Sequence, residues 1–249
     1  MNAWDIKSDD TRSADSLITF IVFCEDEVSE PVYVKIFETS KIKVNPVKCK
    51  KSKMDNVLHA ITHCIRMDWM EDHEGERVLV AGDIQVWCVF DLDRDKDPAK
   101  QDVAHVEFDE SIAVALRRGF KVAWSNDSFE LWVLLHFEDV DPTHADFQHR
   151  KAYYDRLTAI FKDLPEPNED LQKCLKYHNF YYKSNLKSDS NFRNIVRPAI
   201  LPNTKRAIER AKKLFDFHKV HSSQPHQQSP CTLMHQMIEE LVRLGGKEI

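Results

Sequence analysis

Four acidic positions carry the chemistry that this sequence could perform. Asp91, Asp93 and Asp95 stand at alternate positions directly after the apolar run Val86-Trp87-Cys88-Val89-Phe90. Glu25 follows a second apolar run, Leu17 to Cys24. Residues two apart in extended backbone point the same way, so Asp91 and Asp93 can converge on one hard cation. A solvated acidic loop is the plain alternative, and a bare Asp-x-Asp leaves both open. The Val86–Phe90 run lacks alternation, as expected of a strand buried on both faces of a parallel sheet. Ligands of such sheets bind just beyond the carboxyl ends of the strands. Glu25 and the aspartates would then share one rim.

The elements that must position these groups can be read from the flanking pattern. Leu17–Cys24 is β-branched and aromatic, and suits a central strand. Ser29 can cap a helix carrying Glu30 and Pro31 in its first turn, with Val32, Tyr33, Ile36 and Phe37 as the buried stripe. A strand at 42–49 is demoted to an edge by Pro46. Ser52 and Asp55 resemble a capping box ahead of a helical period running from Met54 to Trp69, followed by a polar loop at 71–76. A helix over 101–118 is closed by Gly119, and a strand over 120–125 follows. Ser125-Asn126-Asp127-Ser128 supplies turn and cap residues for an apolar helix, Phe129–Phe137, interrupted by Glu130 and His136. Glu130 reads equally as a functional or a structural buried carboxylate; His136 reads as a hydrogen-bonded core histidine.

The order βαβαβαβα predicts a four-stranded, mainly parallel α/β sheet flanked by helices. Beyond residue 138 only helical patterns are expected, at 151–164, 169–178, 192–200, 204–218 and 232–244. The division is a flexible stretch 1–16, an α/β domain 17–140 and a helical, basic region 141–249.

Net charge is −6, but its distribution is uneven. Between Leu171 and Lys219 there are twelve Lys and Arg against three acids, and Lys41, Lys43, Lys48, Lys50, Lys51 and Lys53 form a second cluster without acids. Basic walls around an acidic centre suit a metal-dependent enzyme acting on a phosphate backbone. Tyr177, Phe180, Tyr181, Tyr182 and Phe192 could stack on unpaired bases, but most are expected to pack helices together. Histidines 218, 221, 226 and 235 are too irregularly spaced to favour a metal site. No apolar run approaches the ~20 residues of a membrane span, which predicts a soluble, cytoplasmic protein without membrane contact. The six cysteines lie far apart and read as reduced, buried thiols.

Glu25 and Asp91-x-Asp93 on a four-stranded parallel sheet resemble the Toprim fold. Cys24-Glu25-Asp26-Glu27-Val28-Ser29-Glu30-Pro31-Val32-Tyr33 resembles the Cys-Glu-Gly-Glu-x-Thr-Glu-Pro-x-Tyr signature of the RloB family. Asp91-Leu92-Asp93-Arg94-Asp95 and Ser125-Asn126-x-x-Phe129-Glu130-Leu131-Trp132-x-Leu134-Leu135-His136-Phe137 are similar to its next two blocks, and Tyr182-Lys183 to a later one. The chain departs from the pattern at Asp26, where the family has glycine, and at Val28, where it frequently has lysine.

The resemblance implies a Toprim nuclease effector of anti-phage defence, with an ABC-type ATPase partner encoded nearby. Mg²⁺ or Mn²⁺ would be held by Glu25, Asp91, Asp93 and Asp95, with Glu25 also available as general base or acid. Glu130 and Lys183 complete the catalytic candidates; Glu27 and Glu30 rank behind them. Lys183, Lys187, Arg193, Arg197, Lys205 and Arg206 would hold nucleic acid, either DNA or RNA, transfer RNA included. A homodimer is left open. Two rivals stand beside this reading: a non-catalytic subunit docking on an ATPase, and a primase-type nucleotidyl transferase using the same carboxylates.

Overall fold

The computed structural model describes residues 17–94 and 97–249, so Asp95 and the stretch 1–16 lie outside the described residues. A five-stranded sheet of order β2-β1-β5-β6-β7 forms the centre. Its strands are β1 (Ile18–Cys24), β2 (Ile42–Lys48), β5 (Ile84–Asp91), β6 (Lys121–Asn126) and β7 (Cys231–Thr232); β3 (Met70–His73) and β4 (Glu76–Leu79) pair separately. The first four central strands are parallel, and β7 joins β6 antiparallel.

Side chains alternate across β1 and β5 and fill two cores. Phe20, Val22, Cys24, Trp87 and Val89 face one, while Ile21, Phe23, Val86, Cys88 and Phe90 face the other. Helices α2 (Lys53–Arg66) and α3 (Pro98–Arg117) cover the second face through Val57, Ala60, Phe108 and Ile112. The first face is covered by α1 (Ser29–Val34), α4 (Glu130–Leu135), α5 (Arg150–Lys162), α10 (Thr204–His221) and α11 (Met234–Gly245). Between α5 and α10 run the short helices α6 (Glu169–Leu175), α7 (Tyr182–Asn185), α8 (Asp189–Asn191) and α9 (Arg197–Ile200), with a π turn over Phe192–Val196. Burial of a strand on both faces removes the need for alternation, which is why β5 reads as a continuous apolar run.

Several sequence expectations need correction. The sheet has five strands rather than four: two residues, Cys231 and Thr232, pair with Asn126 and Ser125. A strand this short leaves no periodic pattern, and it forms because it covers the open edge of β6. The polar stretch expected to be a loop at 71–76 is a hairpin. Glu74 at φ +55° and Gly75 at +84° adopt the paired left-handed geometry of a tight hairpin turn. Neither Ser29 nor Ser52 caps its helix with its side chain. The helix begun at Lys53 ends at Arg66, leaving Trp69 outside it. Pro46 lies on an edge strand as expected, and Gly119 at φ +78° follows α3.

Candidate functional site

Glu25 follows β1, and Asp91 ends the neighbouring β5. Cys24 pairs with Val89, so the two acids leave the sheet side by side. Glu25 Oε2 accepts a hydrogen bond from the Asp91 backbone N–H at 3.0 Å, across 66 residues of sequence. Buried Asn56 of α2 donates to the carbonyls of Phe23 at 3.2 Å and Val89 at 3.3 Å, tying both strand ends together. Asp91 Oδ2 accepts from the Phe129 N–H at 3.0 Å, which fixes the entry of α4. Its other oxygen, Oδ1, is buried and has no hydrogen-bond partner among the described residues, and the same holds for Ser29 Oγ at the start of α1 and Ser128 Oγ in the loop after β6.

Asp26 does not extend the acid set. Its carboxylate accepts from the N–H groups of Val28 (2.8 Å) and Ser29 (3.3 Å), while its own N–H donates to Glu30 Oε2 at 3.1 Å. Glu30 is buried in α1 and directed back to this turn. Asp26 therefore braces the loop that carries Glu25.

Electrostatically the rim is under tension. Burial, opposed by the Asp91 N–H and aggravated by the Asp93 charge, pushes the Glu25 carboxyl up to about 7. Lys53 and Arg150 offset part of this. Burial and the neighbouring carboxylates push Asp91 and Glu30 well above the ordinary carboxylate range. Like charges brought together out of water favour protonated forms unless a cation compensates.

Asp93 sits differently. Its backbone is left-handed at φ +54°, and its carboxylate meets the Arg150 guanidinium. Arg150, the first residue of α5, grips buried Asp127 with Nε to Oδ2 at 3.2 Å and Nη2 to Oδ1 at 2.7 Å. The backbone N–H of Arg150 adds a third bond to Asp127 Oδ2 at 3.0 Å, and that of Arg94 a fourth, to Oδ1 at 2.9 Å. Asp127 thus fastens the loop after β5, the loop after β6 and the start of α5. Neither Asp127 nor Arg150 stood out in the sequence. Asp127 lay within apparent turn chemistry, and nothing local marks Arg150, because its contacts are long-range.

Glu130 is buried at the start of α4, and Lys187 Nζ lies 2.6 Å from its Oε1. Lys187 therefore neutralises an interior acid rather than standing free in the basic face. Lys183 is exposed, with Nζ 5.5 Å from the Tyr154 ring centroid. Arg193 pairs with Asp189 at 2.6 Å, Arg197 is half-buried, and Lys205 and Arg206 are exposed on α10. Glu27 meets Lys50 at 2.9 Å. Phe180, Tyr182 and Phe192 are buried in the helical core, and Tyr177 is exposed. His136 is buried, its Nδ1–H donating to the Trp132 carbonyl (2.8 Å) and Nε2 accepting from Tyr33 Oη (3.1 Å). Burial lowers its pKa to about 4. The late histidines go separate ways: His218 bonds the Pro230 carbonyl, His226 bonds Asp109, and His235 bonds the Thr232 carbonyl.

Among the described residues, no three His, Cys, Asp or Glu side chains gather into a closed metal-holding set. The donors at the rim still suit a hard divalent cation. They are carboxylate oxygens, one of them a buried acceptor without a partner, and their mutual repulsion is what such a cation relieves. Glu25 and Asp91 are the residues that would hold it, with Asp93 beside them.

No helix among the described residues is long and apolar enough to cross a membrane. No curated protein and no solved structure matches the chain. A family model does: the one described as RloB-like protein, over residues 20–241. That match covers nearly the whole chain, and the protein with this sheet and this carboxylate rim belongs to the RloB-like family.

Proposed function

We propose that this chain is a Mg²⁺- or Mn²⁺-dependent phosphodiesterase acting on nucleic acid. The observation that carries the proposal is the hydrogen bond from the Asp91 backbone N–H to Glu25 at the carboxyl edge of the sheet, beside a buried Asp91 oxygen that has no partner among the described residues. When bound there, a divalent cation would polarise a phosphoryl oxygen and offset the charge of the attacked phosphate. Glu25, with a carboxyl pushed up to about 7, can take or give a proton near neutral pH and is the group suited to general acid–base work. Arg94, Asp127 and Asn56 hold the loops and strand ends that aim these groups. Lys205 and Arg206, exposed on α10, offer sequence-independent contacts to a phosphate backbone. Family resemblance extends the proposal to an effector of phage defence working beside an ATPase.

A docking reading draws on one observation. Val103 and Val106 of α3 are 69% and 67% exposed, an apolar pair that a partner could cover. One experiment separates the two. The full chain, with and without the ATPase, is incubated with Mn²⁺ and single-stranded DNA, duplex DNA, RNA or transfer RNA. Cleavage that disappears with Asp91→Ala or a chelator supports the nuclease; no cleavage under any of these conditions overturns it.

A further inference from the structure

We propose that Arg150 is the residue that grips the scissile phosphate, through the one guanidinium nitrogen that Asp127 leaves free. The inference rests on the phosphodiesterase reading and adds to it a substrate contact from outside the strand ends. Three facts carry it. First, two guanidinium nitrogens, Nε and Nη2, are spent on Asp127, whose side chain is only 2% exposed. That carboxylate also takes the Arg150 and Arg94 N–H groups, so the fork is fixed at both backbone and side chain. Second, the remaining nitrogen, Nη1, reaches the rim and ends at Asp93, two residues from Asp91. Third, Asp93 is 42% exposed, whereas Asp127 is buried. An ion pair to a half-exposed carboxylate contributes little net stability, while a buried, multiply bonded one is held firmly.

The two ends of Arg150 are therefore unequal. A phosphate oxygen can displace Asp93 from Nη1 at small cost, and the guanidinium would not move because Asp127 keeps its plane. Arginine suits this role because its nitrogens are fixed in one plane and always charged; a lysine could not hold Asp127 in a fork and present a second donor. A purely structural Arg150 would serve only to fasten α5 to the loop after β6. Binding measurements separate that case from a phosphate contact.

The test uses the full chain in the presence of a chelator, so that binding is read without turnover. The probes are labelled single-stranded DNA and RNA oligonucleotides of mixed sequence, titrated across a range of salt. Arg150→Gln should weaken binding and flatten the slope of log affinity against log salt by about 0.7, the loss of one phosphate contact on a single strand. Arg156→Gln, on the same helix but paired with Glu138, is the control and should leave the slope as in wild type. Arg150→Lys should keep the slope yet lower cleavage in Mn²⁺ by about tenfold or more, since charge survives and geometry does not. Should Arg150→Gln unfold, Asp127→Asn replaces it: the slope should stay and cleavage should fall, because the charge remains while its fork loosens.

An unchanged slope and wild-type cleavage in Arg150→Gln would overturn the proposal and leave the phosphodiesterase reading standing. Wild-type protein that binds but cleaves nothing in Mn²⁺ would overturn the phosphodiesterase reading and the scissile phosphate with it, and a slope that flattens in Arg150→Gln would then mark a phosphate-binding contact alone. Wild-type protein that binds neither oligonucleotide would overturn both.

Discussion

Two sets of buried or half-buried acids lie near the loop after β6, and they are handled in opposite ways. Glu130 has its own cation: Lys187 reaches in from the helical region and sits 2.6 Å away. Among the described residues Glu25, Glu30 and Asp91 have no such ion pair, and burial with mutual repulsion pushes all three carboxyls up. Burying an acid is costly, and a fold normally supplies the counter-charge itself. At Glu25 it does so only in part, through Lys53 and Arg150. On the proposed reading a cation from solution would supply the rest at the rim, whereas Glu130 has its counter-charge from the chain.

That contrast can be broken by substitution. The largest effect is expected on turnover. Asp91→Ala and Asp93→Ala should reduce cleavage by about a thousandfold or more, and Glu25→Gln by ~10²–10⁴, the range of a lost general acid or base, as read by single-turnover cleavage. Wild-type cleavage by all three would make the rim carboxylates structural. Next comes the interior pair. Removing Lys187 should cost roughly 3–5 kcal/mol in denaturant unfolding, because Glu130 is left buried and charged, and removing Glu130 should cost less, because Lys187 is half-buried and keeps some water. Glu130→Gln combined with Lys187→Met should recover most of that loss; strictly additive losses would mean that the two are not coupled.

A smaller effect sharpens the difference between the two sites. Mn²⁺ at a hundred times its dissociation constant should stabilise the wild type by about 2.7 kcal/mol, read as a shift in melting temperature. The same shift should vanish in Asp91→Asn and persist in the Glu130–Lys187 double variant. Equal shifts in every variant would move the cation away from the rim.

The smallest effect is the pH dependence without metal. A carboxyl raised to about 7 in the fold adds stability that is full below its unfolded value and is lost as pH climbs through about 7. His136 has the opposite sign: held neutral with a pKa lowered to about 4, it removes stability as pH falls from its unfolded value toward that point. Melting temperature should thus decline from pH 6.5 to pH 8, and Glu25→Gln should flatten that decline. An unaltered profile in the variant would mean that Glu25 titrates as it does in the unfolded chain.

Much of the frame was legible because its signals are local. The apolar runs of β1 and β5, the turn residues before α4 and the proline on edge strand β2 each declare themselves within about ten residues. Glu25 and Asp91 could be placed together because parallel strands deliver their carboxyl ends to one rim. The hairpin at 70–79 was missed because β3 is polar and exposed after Met70 and β4 is only half-buried, so no alternating buried face marks them. β7 was missed because two residues carry no period, and their partner lies more than a hundred positions away.

The candidate site residues divide along the same line. Residue type and position alone singled out Glu25, Asp91 and Asp93, since only carboxylates at strand ends offer hard-cation chemistry there. Tertiary structure alone decided which basic residue goes where. Lys187 was read as part of a basic surface and is drawn inside to Glu130; Arg150 carried no signal and stands at the rim; Asp127 looked like turn chemistry and holds three segments together. Sequence records where charges are, but their pairing depends on which of them the fold takes out of water. That is settled by packing between segments far apart in the chain.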